Sequence, residues 1–252
     1  MKEEIIKRLE QIEEKEKVKI LYAVESGSRA WGFASPDSDY DVRFIYLRQK
    51  EFYLKLEKTR DVIEVPINDI LDINGWDFQK ALRLLHTSNP TLFEWTNSPV
   101  IYKTTRFFEE FKDHINDYFK AKSGLYHYLN TAASNYREYL KGDFVKAKKY
   151  FYVIRPILAC KWILKENTPP PMLFTDLAES VLDEELKPVI EKLLEMKMSL
   201  PEIGQIPKIN QLNQYIEKNL IQLKEEIDSL LRNDSNDFEQ LNRIFLEALE
   251  LI

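Results

Sequence analysis

Two aspartates one residue apart, Asp39 and Asp41, close a stretch that opens with Gly27-Ser28. Side chains at i and i+2 of a strand point to one side, so the two carboxylates are expected together. Like charges ~4 Å apart repel by about 4 kcal/mol at an effective dielectric of about 20. A proton, a basic neighbour or a divalent cation must offset this. Oxygen ligands with no His or Cys beside them favour Mg2+ or Mn2+ over zinc. Mg2+ fills its remaining positions with water and substrate phosphate, which suits a nucleoside triphosphate (NTP) as partner. The start of the stretch supplies an anion site. Gly27 permits an unusual backbone angle and close approach of phosphate. The amides after it open a short helix whose N–H groups and dipole favour anions. Ser28 adds a hydroxyl and Arg29 a charge. Gly-Ser alone and Asp-x-Asp alone are common in turns; their order, each beside a strand, carries the reading.

The elements around this stretch follow from periodicity. Residues 2–17 form an amphipathic helix with Ile5, Ile6, Leu9 and Ile12 on one face. Lys19 to Glu25 is a buried strand, and 28–33 a short helix. Tyr40 to Tyr46 alternates, with Val42, Phe44 and Tyr46 on one side and Asp41, Arg43 and Ile45 on the other. Val62–Val65 and Ile70–Ile73 are further strands. Gly75 reads as a break, Trp76 to Thr87 as a helix, and Asn89-Pro90 as the start of the next. After about Thr105 no strand is expected. Helices are expected near 106–120, 125–141, 144–166, 184–197, 209–232 and 235–250, with Thr168 to Pro171 and Leu200 to Pro207 as connectors. The heptad-like run from Ile209 to Leu230 reads as one buried stripe of a bundle helix. The expected organisation is an α+β domain over 1–104 and an all-α domain over 105–252, joined near Ser98 to Thr105.

Composition excludes several classes. Of 252 residues, 36 are basic and 42 acidic, a net charge of −6, which argues against a nonspecific nucleic-acid coat. The single Cys160 allows no internal disulfide and no cysteine metal cluster, and reads as a buried small hydrophobe. No apolar run approaches the roughly 20 residues of a membrane helix, and the polar start at Lys2, Glu3 and Glu4 is not a signal peptide. A soluble cytoplasmic protein is expected. Within the acidic chain, residues 141–165 gather six lysines and Arg155 against Asp143 alone. Lys149, Tyr152 and Arg155 recur at intervals of three on one helix face. That face reads equally as a triphosphate or nucleic-acid contact and as a solvated surface with Tyr152 packed. His86, His114 and His127 lack metal-ligand spacing.

The pattern Gly27-Ser28, spacer, Asp39-x-Asp41 resembles the nucleotidyltransferase signature of the DNA polymerase beta superfamily. Glu25 to Gly32, Ser38-Asp-Tyr-Asp-Val42, Asp72 to Asp77, Ser88-Asn-Pro90, Glu94-Trp95, Ser98-Pro99 and Lys148 to Pro156 sharpen it to a bacterial and phage group associated with RNA repair. The resemblance runs through about residues 18–166. It implies a mixed sheet backed by helices and two metal ions, Mg2+ or Mn2+, held by three carboxylates. Asp39 and Asp41 match the first two. Asp72 is the candidate for the third and for general base, with Asp77 and Glu64 as rivals. Gly27, Ser28, Arg29, Ser38, Lys149, Tyr152 and Arg155 become candidates for holding the NTP. The implied activity is transfer of a nucleoside monophosphate from an NTP, ATP foremost, to a hydroxyl acceptor with release of pyrophosphate; an RNA end, a small molecule and a protein side chain are the acceptors in view. The competing class is a degenerate, nucleotide-binding or antitoxin-like interaction module, against which two intact aspartates speak.

Overall fold

The computed structural model describes residues 1–65, 70–199, 205–230 and 237–252. In chain order the elements are α1 (Lys2–Glu16), β1 (Val18–Ser26), α2 (Gly27–Ala30), β2 (Tyr40–Arg48), α3 (Lys50–Tyr53), β3 (Val62–Glu64), β4 (Leu71–Asp77), α4 (Phe78–His86), α5 (Pro90–Thr96), β5 (Ile101–Thr104) and α6 (Arg106–Lys112). There follow α7 (Ala121–Tyr139), β6 (Phe144–Lys146), α8 (Ala147–Glu166), α9 (Phe174–Val181), α10 (Lys187–Ser199), β7 (Gln205–Pro207), α11 (Asn210–Ser229) and α12 (Glu239–Leu249). The chain divides into two compact units. One comprises Met1–Ala30, Asp39–Tyr118 and Ser235–Ile252; the other comprises Trp31–Ser38 and Phe119–Asp234.

The first unit is α+β, built on a five-stranded sheet in the order β3-β4-β2-β1-β5. Only β2 and β4 run parallel; the other neighbours are antiparallel. Helix α1 buries Ile5, Leu9 and Ile12 against Ile20, Ala23, Val42, Phe44, Ile63, Leu71 and Ile73 on one face of this sheet. It ends at Lys17, whose left-handed φ of 52° turns the chain into β1. The Ile20 amide then donates to Glu13 Oε1 at 2.7 Å, which ties helix to strand. Because Val42 and Ile73 face α1, Asp41 and Asp72 face the opposite side. Helix α12 belongs to this unit: Phe245 packs against the rings of Tyr53 and Phe78, and Lys19 Nζ donates to the Leu251 carbonyl.

Several boundaries differ from the sequence reading. Strand β4 continues through Gly75 and Trp76 to Asp77, with Leu71, Ile73, Gly75 and Asp77 buried in alternation. Gly75 does not break the strand. A Cβ there would stand 2.2 Å from the Phe44 ring, so glycine makes room for a core aromatic. The helix starts at Phe78, where Asp77 caps it by accepting from the Gln79 amide at 2.8 Å. Strand β5 was not expected. Nor were β6 and β7, a ribbon of three residues per strand, too short for any periodicity to register.

Among its described residues the second unit has helices and that ribbon as its regular elements, and α7, α8, α9, α10 and α11 bury its core. Pro156 lies inside α8 and cannot donate to the Tyr152 carbonyl four residues back. Asn135 Nδ2 of α7 supplies that hydrogen bond instead, at 3.0 Å, so the helix runs on to Glu166. Cys160 is fully buried in α8. Of the expected connector at Leu200–Pro207, residues 200–204 lie outside the described residues, as do 231–232 and 235–236 of the last two expected helices. No described helix is long and apolar enough to cross a membrane.

Candidate active site

The parallel pairing of β2 and β4 sets Asp41 directly beside Asp72. Both carboxylates meet a single guanidinium nitrogen: Arg43 Nη2 lies 3.0 Å from Asp41 Oδ1 and 2.7 Å from Asp72 Oδ2. Arg43 is two residues from Asp41 on β2 and therefore shares its face. Its Nη1 donates to the carbonyls of Val42 and Asp72 at 3.0 and 3.1 Å. The other Asp41 oxygen rests on Gly27, where a Cβ would stand 2.1 Å from Oδ2. Gly27 has φ of 60° as it leaves β1, so the strand end and the missing side chain together make the space for this carboxylate.

Behind the pair stands Glu25, 1% exposed. Its Oε1 accepts from the Asp41 amide at 2.7 Å, and Oε2 accepts from the Tyr102 hydroxyl. The Ser98 hydroxyl donates to the Glu25 carbonyl at 2.6 Å. Burial raises the Glu25 carboxyl above the usual glutamate range, against the pull of these hydrogen bonds. Burial also raises Asp41; Arg43 opposes the rise, while the charges of Asp72 and Asp39 add to it.

Asp39 does not share a strand with Asp41. Strand β2 begins at Tyr40, whose amide donates to the Ile70 carbonyl at 2.8 Å, and Asp39 lies exposed just before it. The Asp39 carbonyl accepts from Arg29 Nε at 3.1 Å, and the Arg29 guanidinium covers the Tyr40 ring at 3.7 Å. Of the rivals to Asp72, Asp77 is buried as the cap of α4 and accepts from the Tyr53 hydroxyl, and Glu64 pairs with Arg60 on the surface.

A hard cation would find two carboxylates turned toward one point that already holds a positive nitrogen, with a third carboxylate close enough to be felt. That donor set suits Mg2+ or Mn2+, which accept one or two carboxylates and fill the rest of the shell with water and phosphate. Among the described residues no group of three or more His, Cys, Asp or Glu side chains is gathered closely enough to hold a metal by itself.

Four further candidates lie in the second unit, to which the spacer Trp31–Ser38 also belongs. Ser38 is buried, and its hydroxyl is 2.9 Å from that of Ser35. Lys197 Nζ, itself buried, donates to Ser35 Oγ at 2.8 Å and to Ser38 Oγ at 3.4 Å. The Lys149 ammonium stands over the rings of Tyr139 and Tyr152. Tyr152 meets Trp31 edge-on, and the Arg155 guanidinium lies over Trp31 at 4.8 Å. Arg155 is 2% exposed and packs beside Met172. The sequence reading singled out neither Arg43, Glu25 nor Lys197. Arg43 had a signal: a basic residue at i+2 from a carboxylate on a strand. A contact such as Lys197 with Ser35, 162 residues away, has none.

The geometry is that of a mixed sheet with acids from adjoining strands meeting beside a glycine-led turn. The chain belongs to the RNA repair pathway DNA polymerase beta family, RlaP, whose model matches residues 1–247. It is 48% identical to the "Uncharacterized protein YcgL" of Bacillus subtilis (strain 168) over 252 residues, covering 99% of this chain and 97% of that one. It is also similar to a solved structure, a nucleotidyltransferase-like protein from Exiguobacterium sibiricum 255-15, at 16% identity and a TM-score of 0.31, over 89% of this chain and 75% of the other.

Proposed function

We propose that this chain is a metal-dependent nucleotidyltransferase that moves a nucleoside monophosphate from an NTP, ATP foremost, to a hydroxyl at an RNA end. The observation that carries the reading is the convergence of Asp41 and Asp72 on one cationic position beside Gly27. The family description supports RNA as the acceptor. In the reaction, a bond forms between the acceptor oxygen and the α-phosphorus. The bond from that phosphorus to the bridging oxygen breaks, and pyrophosphate leaves. Asp41 and Asp72, with Asp39 at the head of β2 and triphosphate oxygens completing the shell, would hold divalent ions, which when bound would lower the pKa of the acceptor hydroxyl and neutralise the leaving group. Asp72 takes the hydroxyl proton as general base. Glu25 fixes the backbone of Asp41 through its amide, and Gly27 leaves room for the Asp41 carboxylate. Gly27, Ser28 and Arg29 face the triphosphate in this reading; of the second unit's candidates, Ser38 and Arg155 are buried and held within that unit, which leaves the partly exposed Lys149 and Tyr152 as candidates for contact with the RNA backbone.

The test is incubation with labelled NTPs, Mg2+ or Mn2+ and RNA oligonucleotides, alongside protein and small-molecule acceptors. Expected results are label transfer to RNA, release of pyrophosphate, and loss of both in Asp41→Asn with the fold retained. Nucleotide binding without pyrophosphate release from any acceptor would favour the binding module. Wild-type turnover in Asp41→Asn would refute the assigned role.

A further inference from the structure

We propose that Arg43 is an internal counter-cation that holds the acid pair in the free protein and competes with a divalent ion for it, so that the ion is taken up together with triphosphate. The inference rests on Asp41 and Asp72 being cation ligands. Arg43 is more than a neighbour of the pair. One of its nitrogens stands between the two carboxylates, at 3.0 and 2.7 Å, and the other donates to the Val42 and Asp72 carbonyls. Its side chain is 18% exposed, so little solvent screens it. In the free protein this charge removes the repulsion that Asp41 and Asp72 would otherwise exert on each other. A divalent ion at the same oxygens would stand within a few ångströms of a fixed positive charge and is repelled by it. A triphosphate changes that balance. It brings anionic oxygens to the ion, and it offers a guanidinium released from the carboxylates an acceptor suited to its paired N–H groups.

The sign of the effect separates this from a structural role. A purely structural arginine would, on removal, loosen the pair and weaken ion binding; a competing arginine, on removal, strengthens it. The full chain is titrated with Mn2+ by calorimetry, with and without α,β-methylene-ATP, as wild type, Arg43→Gln and Arg43→Lys, with thermal melts as the check on folding. Without nucleotide, Arg43→Gln is expected to bind Mn2+ roughly tenfold or more tightly than wild type, and Arg43→Lys, which keeps a cation, close to wild type. Wild type is expected to gain a similar factor when the analogue is present. Equal or weaker Mn2+ binding by a folded Arg43→Gln overturns the proposal. So does a wild-type affinity indifferent to the analogue, a result that needs no variant to fold. If wild type binds Mn2+ with the analogue and Arg43→Gln gains nothing, only this inference falls. If no protein binds Mn2+ under any condition, the reading of Asp41 and Asp72 as ligands falls with it.

Discussion

Gly27→Ala tests whether the glycine serves the neighbouring carboxylate. The new Cβ would stand 2.1 Å from Asp41 Oδ2, at a backbone φ of 60°. The backbone alone costs roughly 1–2 kcal/mol for a residue with a side chain in this region. The clash adds to that, but its partner is the end of a side chain. The carboxylate oxygen must swing at least about 1.3 Å aside to reach ordinary contact, and in doing so it strains or breaks its charged hydrogen bond to Arg43, worth about 1.5–3 kcal/mol. For a chain of this size each kcal/mol lowers the melting temperature by roughly 2–4 °C, so a folded variant with a clear but moderate loss of stability is expected. Turnover is expected to fall further, by about 100-fold or more, because a displacement of ~1 Å in a reacting group costs about that much. The assay pairs label transfer with denaturant titration in a cycle with Asp41→Ala. The Asp41 Cβ is 3.5 Å from where the new methyl carbon would stand, an ordinary contact, so in the Asp41→Ala background Gly27→Ala should carry only its backbone cost. A stability cost equal in both backgrounds, or turnover in Gly27→Ala within about threefold of wild type, would refute the reasoning.

Two further predictions concern stability. Asn135→Ala removes the donor that replaces the missing amide of Pro156 and should cost about 1–2 kcal/mol by chemical denaturation. The cost should shrink in a Pro156→Ala background, where the Tyr152 carbonyl regains its helical partner; an undiminished cost would show that Asn135 matters for something else. Asp77→Asn keeps the cap of α4 and removes a titratable group whose pKa burial raises above its ordinary 3.8. The wild-type contribution from this group is fully present below the unfolded pKa and is lost as pH rises through the higher folded value. Melting temperatures of Asp77→Asn should therefore gain on wild type as pH climbs out of the ordinary aspartate range toward neutrality. Parallel curves would contradict a buried, reluctantly ionised Asp77.

Much of the first unit was legible because its signals are local. The helical spacing of Ile5, Leu9 and Ile12 and the alternation of Val42, Phe44 and Tyr46 each declare which side meets the core. That same alternation turned Asp41 and Arg43 away from α1. Gly75 misled because a glycine inside a strand looks, in sequence, like one that ends it; only the Phe44 ring shows what the space is for. The alternation placed the strand start at Tyr40, where the structure has it; what misled was extending the strand's i, i+2 rule back to Asp39, which lies exposed just before that start.

What the sequence determined by itself is therefore the set of elements and the chemistry carried on each: a glycine-led turn after a buried strand, aspartates at the head of the next, and a helical remainder. What only the tertiary structure decided is which of those groups meet. Asp72 lies 31 residues beyond Asp41, and the two come together because β2 and β4 pair in parallel, a register set by packing across the whole sheet. The return of Phe245 to Tyr53 and the approach of Lys197 to Ser35 have the same origin. Periodicity reports how one segment divides its surface between core and solvent; it holds no information on which distant segment will cover that surface, because burial is nearly indifferent to the partner until shapes and charges are brought into contact.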